Sequence, residues 1–239
     1  MQSPLSPSVE SMFFNVDVST LISRTFSVAG KVLLPLALCF LLADLAIVGG
    51  AGVLLLAPEG LRIAAWVIGM VAILTIVYLK FLAGTVFVYG RLRGTALPSW
   101  KEIVGEAIDR FPAVLVLSIA GMLAVALGLI CLIVPGIIVA VALSVLLPVL
   151  LVERDPWQAL HRSFELTEGR RLSLFCFFLV MAVVSFGLSL LGHLFLGSFI
   201  ADALIMAIDV VAVTVAYHDL RYAAQELESE SISGLVVPV

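Results

Sequence analysis

Residues 128–171 read GLICLIVPGIIVAVALSVLLPVLLVERDPWQALHRSFELTEGRR. An uncharged apolar run gives way at Glu153 to a short charged segment. Roughly 20 apolar residues at 1.5 Å rise each cover the ~30 Å of a bilayer's hydrocarbon. Together with the residues before it, the run is too long for one crossing, and Val134-Pro135-Gly136 breaks it, as such a pair does. The pattern predicts a tight hairpin. A third span runs from Pro112 to about Val134, and a short fourth from Ile137 to Val152 contains Pro148, which reads as a kink with a hinge as the alternative. The competing reading is one long span plus a re-entrant piece. Past Glu153, Asp155-Pro156-Trp157-Gln158 is a capping box with proline at the first helical position. The helix it starts sets Trp157, Leu160 and Phe164 on one face, with Arg162 and Glu165 elsewhere.

The rest of the 239-residue chain has the same character. It is 62% hydrophobic and 13% charged, against roughly 45–50% and about 25% in soluble domains. A soluble fold of this composition lacks the polar side chains to cover its surface. Four more apolar runs fit spans: Val32 to about Leu56, Leu61 to about Tyr89, Leu172 to about Leu196, and Phe199 to Tyr217. The last is expected to continue as helix into Asp219–Gln225. The opening MQSPLSPSVESMFFNVDVST lacks the basic and apolar regions of a signal peptide, so the first run is expected to stay as a span. The expected layout is a polar tail over 1–16, one six-helix transmembrane domain over 17–227, and a tail over 228–239.

The basic residues give the orientation. Arg24 and Lys31 precede the first span. Arg91, Arg93, Lys101 and Arg110 lie between the second and third, and Arg154, Arg162, Arg170 and Arg171 between the fourth and fifth. Arg221 follows the sixth, Arg62 alone falls on the other side, and Lys80 sits within a span. The positive-inside rule then puts both termini in the cytoplasm.

Each cytoplasmic segment reads as a short amphipathic helix ahead of a helical hairpin. Ser99-Trp100-Lys101-Glu102 is a second capping box, and Trp100 corresponds to Trp157. Without a gap, Asp17, Ile22, Arg24, Thr25 and Phe26 fall opposite Asp155, Leu160, Arg162, Ser163 and Phe164. The predicted fold is therefore all-α: three transmembrane hairpins, each introduced by a cytoplasmic interfacial helix lying in the headgroup plane with aromatic anchors. Internal repeats occur in several kinds of membrane fold, so the repeat does not by itself indicate transport.

Gly128–Arg171 resembles the YciC-like bacterial inner-membrane proteins and the related membrane domain fused to some glycerophosphoryl diester phosphodiesterases. The matching features are Val134-Pro135-Gly136, Leu147-Pro148 before Glu153, Ala159 with Arg162-Ser163, and Thr167-Glu168-Gly169-Arg170. Tyr217-His218-Asp219-Leu220-Arg221 is similar to the family's closing motif. The resemblance covers most of the chain in layout and these two stretches in letters. The catalytic barrel of the fused phosphodiesterases does not fit in these residues. The resemblance thus implies multi-pass topology in the bacterial inner membrane and not hydrolase activity.

Ionisable groups inside spans are costly and are the default functional candidates. Asp44, Lys80 and Asp209 form that candidate cluster. Lys80 flanked by Asp44 or Asp209 would fix helix packing; a proton or cation path and a headgroup contact are the competing uses. Asp202 is expected near the outer interface as a helix cap, and His193 as a polar interfacial residue. Gly49-Gly50-Ala51-Gly52, Gly121 with Ala124 and Gly128, and Gly187 with Gly192 permit close helix approach. Cys39, Cys131 and Cys176 lie in apolar runs without paired spacing and read as buried free thiols.

No phosphate loop, HExxH or Gly-x-Ser-x-Gly is present, and neither a catalytic residue nor a cofactor or metal site is expected. The net charge of −4 argues against nucleic acid. The expected function is non-enzymatic support of membrane, envelope or lipid organisation. Expected partners are membrane lipids and either a membrane protein or further copies of the chain. A small-solute or ion transporter or channel subunit is the alternative.

Overall fold

The computed structural model describes residues 17–55, 58, 60, 62–94, 100–131, 133–152, 155–195 and 197–235. Every regular element among them is an α-helix: α1 Val18–Leu55, α2 Arg62–Arg93, α3 Trp100–Cys131, α4 Ile133–Ser144, α5 Leu146–Val152, α6 Pro156–Thr167, α7 Arg171–Phe195 and α8 Ser198–Leu235. Four stretches are long and apolar enough to cross a membrane: Val18–Gly50, Ile63–Arg93, Arg171–Gly192 and Ser198–Gln225. Val114–Gly128 and Val134–Leu150 are shorter apolar helices. The expected tail at 1–16, residues 236–239 of the tail expected over 228–239, and Ser99 of the second capping box lie outside the described residues, while the last helix continues to Leu235 where that tail was expected.

Three helix boundaries differ from the sequence reading. α1 runs unbroken from Val18, and α3 from Trp100, so neither begins with a separate surface helix. Only α6 stands alone: Glu168–Arg170 turns the chain, and Gly169 takes φ +74°, a left-handed conformation costly for other residues. The run breaks just ahead of Pro135-Gly136 rather than at it, since α3 ends at Cys131 and α4 begins at Ile133. Both residues lie in the first turn of α4, where proline's missing N–H costs no helical bond. The interruption at Val145 does follow from a proline. Pro148 cannot donate to the Ser144 carbonyl, α4 ends at Ser144, and bonding resumes with the Val149 amide on the Val145 carbonyl at 3.2 Å.

The chain divides into two compact units. One comprises Met1–Thr25, Val116–Val180 and Ala212–Val239; the other comprises Phe26–Leu115 and Met181–Val211. Within the second, α1 and α2 pack antiparallel. Asp44 meets Lys80, and a Cβ on Gly84 would lie 3.0 Å from Phe40, so four residues forward on α1 match four back on α2. α7 and α8 do the same about Gly197, where Ser185 meets Asp209 and Gly192 abuts Ala201.

Within the first unit, α3 faces α4 in the same sense. A Cβ on Gly121 would reach Leu143 at 2.9 Å, and one on Gly128 would reach the Gly136 backbone at 2.8 Å. A side chain at Gly128 would therefore force two backbones apart. α6 packs on α4 and α5.

Burial follows helical spacing. On α1 the buried residues Leu21, Thr25, Ala29, Val32, Leu36 and Phe40 recur every three or four positions, while Leu34, Leu38 and Leu42 are exposed. The exposed face is as apolar as the buried one, which suits lipid rather than water. Cys39 lies on that exposed face, not in the interior as expected, and Cys176 is partly buried; both are free thiols. When both faces of a helix are apolar, an apolar run does not say which residues turn inward. α8 is the most enclosed of the four candidate spans, with 56% of its most apolar stretch buried against 17–28% for the other three. Its small buried residues Ala203, Ala207, Ala212 and Ala216 permit that closeness. It continues past Tyr217 into the polar stretch, as its sequence suggested.

Candidate functional site

Of the three intramembrane candidates, the structure joins two. Lys80 Nζ donates to Asp44 Oδ1 at 2.6 Å and lies 5.3 Å from the centre of the Phe40 ring. Phe40 and Asp44 are one turn apart on α1, so a single helix face gives the ammonium both a carboxylate and an aromatic surface. Lys80 is only 7% exposed. A charge this buried requires its partner: breaking such a pair from one side costs about 3–5 kcal/mol.

Asp209 takes a different partner, accepting from the Ser185 hydroxyl at 2.9 Å. Ser185 and Asp209 stand equally far from Gly197, so the α7–α8 register brings them together. Sequence reasoning did not single out Ser185, yet counting outward from that turn finds it. Asp202 is exposed and lies beyond the first turn of α8, too far along to cap it. His193 falls within α7, and its side chain lies outside the described residues. Among the described residues no three His, Cys, Asp or Glu side chains are grouped to hold a metal ion.

A polar cluster in the first unit joins the N-terminal segment to the closing motif. Arg24 Nη1 bonds Asp219 Oδ1 at 2.5 Å, and His218 Nδ1 lies 3.3 Å from the same oxygen. The His218 ring stacks on Tyr222 at 5.9 Å. Asp219 is 10% exposed and Arg24 50%. This pair spans most of the chain, and no local pattern announces it.

α6 supplies the clearest surface feature. Asp155 caps it by accepting from the Trp157 amide at 3.0 Å, with Pro156 at the first helical position. Its packed face leaves out Trp157, in line with the aromatic anchor expected there. Ala159, Ser163, Leu166 and Thr167 are buried, whereas Trp157 is 73% exposed. The reason is size and bonding. Small residues at 159 and 163 let α4 come close, and the Ser163 hydroxyl donates to the Ala142 carbonyl. Trp157 is left outward, with Leu160 and Phe164 half-buried, beside a polar strip where Glu165 receives Arg162 at 3.1 Å and lies 3.2 Å from His161.

Compared with protein families, curated proteins and solved structures, the chain matches none of them.

Proposed function

We propose that the protein is a non-enzymatic, multi-pass bacterial inner-membrane protein that organises lipid at the cytoplasmic face, akin to the YciC-like proteins. The observation that carries this reading is α6: a capped amphipathic helix, anchored by its small face, that leaves Trp157 exposed beside a charged strip. Six crossings in three hairpins, with both termini cytoplasmic, complete the proposal. Supporting it are the three antiparallel registers, the two shorter apolar helices, and the basic residues gathered on one side.

The test is depth-dependent quenching in bilayers. A W66F/W100F variant keeps Trp157 as the sole tryptophan. In vesicles carrying brominated lipids, bromines near the headgroups should quench it more than bromines near the chain ends. A water-like emission spectrum with no quenching would sink the proposal.

Asp209 gives the transport alternative its one support, because it bonds a hydroxyl rather than a cation. Cysteines placed at Asp44, Lys80 and Asp209 discriminate. Labelling of all three by a membrane-impermeant thiol reagent would favour a conduction path; protection of all three favours packing.

A further inference from the structure

An open groove of about 280 Å³ runs between α4 and α7 in the first unit. Ile137, Ala140 and Ser144 line it from α4, and Phe175, Phe178 and Leu179 from α7. Its lining is almost wholly apolar, and both helices belong to apolar stretches suited to a bilayer. A groove of this kind facing lipid fits a hydrocarbon chain.

What distinguishes it from any other gap between apolar helices is its upper end. Arg171 precedes Phe175 by four residues, Phe178 by seven and Leu179 by eight, so all four share one stripe of α7. Helical side chains lean toward the N-terminus, which sets the guanidinium level with the first turn of α7 or above it. The groove then begins roughly 6 Å below and reaches roughly 12 Å, the depth of the upper part of an acyl chain. Arg171 Nε is buried and has no hydrogen-bond partner among the described residues. A buried donor on a permanent cation calls for an acceptor, and a phosphate is the anion that the guanidinium fork fits best.

We propose that Arg171 and the α4–α7 groove form a binding site for one phospholipid, with its phosphate on the guanidinium and one acyl chain against Ala140, Phe175 and Phe178. The inference rests on the lipid-organising reading in one respect: it places the start of α7 at headgroup level.

The experiment uses the full chain, purified in detergent and incubated with dioleoylphosphatidylglycerol or with dioleoylglycerol, which has the same chains and no phosphate. Lipid retained through gel filtration is quantified by mass spectrometry. The wild type should retain the phosphatidylglycerol about tenfold more, the factor that one charge-assisted hydrogen bond supplies. R171Q should bring the two lipids level. A140F, which fills the groove from an exposed position, should abolish retention of both. If A140F elutes as aggregate, L179W, also at an exposed position, takes its place. Inorganic phosphate should not displace the lipid.

An unchanged preference in R171Q, undiminished retention in the groove variants, or displacement by phosphate would each overturn the site. Failure here with Trp157 still quenched removes this inference alone; loss of quenching with the lipid preference intact removes the α6 reading alone.

Discussion

Two segments of this chain align without a gap and fold to different ends. Asp17 and Asp155 both cap a helix by accepting from the amide two residues on, at 3.3 and 3.0 Å. Arg24-Thr25-Phe26 then parallels Arg162-Ser163-Phe164. Yet the first helix continues to Leu55, and the second stops at Thr167. The difference lies just beyond the matched letters. Gly169 takes the left-handed turn, and Lys31 stands at the corresponding place in α1. Glu165 gives Arg162 a carboxylate three residues away, where Ser27 gives Arg24 none, and Arg24 bonds Asp219 instead. Ser163 donates to Ala142, whereas the Thr25 hydroxyl is buried without a partner among the described residues. A repeated segment thus fixes where a helix starts; a glycine just beyond it permits the helix to stop there.

The buried hydroxyls give the largest expected contrast. S163A should destabilise by about 2 kcal/mol, because the Ala142 carbonyl loses its added donor inside a packed interface. T25V, nearly the same shape, should stabilise by about 1 kcal/mol by removing a buried hydroxyl with no partner. Reversible unfolding in mixed micelles measures both, and two changes of the same sign would erase the distinction. Next comes the turn. G169A should cost about 1.5 kcal/mol from the left-handed backbone. K31G should cost about 1 kcal/mol and leave α1 continuous, since glycine permits a turn without imposing one.

The ion pairs differ less. D219N should cost about 1 kcal/mol, discounted because Arg24 is half in solvent, and E165Q no more than about 0.4 kcal/mol.

The smallest effect is a pH dependence at Asp17. Hydrogen bonds from the Ser19 hydroxyl and amide hold its carboxyl below the usual carboxylate range. The cap therefore contributes fully above about pH 4 and is lost as pH falls through the lowered value of the folded state. The Ser19 amide resonance should follow that loss, and D17N should abolish the titration.

Helix content, the four long apolar stretches and the Asp155 cap were legible because each depends on local spacing. The intramembrane charges stood out as single letters in apolar runs. Asp44 and Asp209 were both open as partners for Lys80, and only the register between helices decides for Asp44 and gives Asp209 to Ser185. The face of α6 that packs inward was not legible: spacing sets Trp157 on one side, but only the structure shows that the small residues Ala159 and Ser163 are the ones that face α4. The continuity of α1 and α3 was hidden because a surface helix and a spanning helix share one backbone geometry.

The Asp44–Lys80 pair also bears on biosynthesis. Its members lie 36 residues apart. At roughly 5–20 residues per second, a ribosome adds the lysine roughly 2–7 s after the aspartate. Until then α1 alone carries an uncompensated carboxylate, a burden of about 3 kcal/mol near the centre of a membrane helix. Stable entry of the first helix into the bilayer is thereby tied to synthesis of the second.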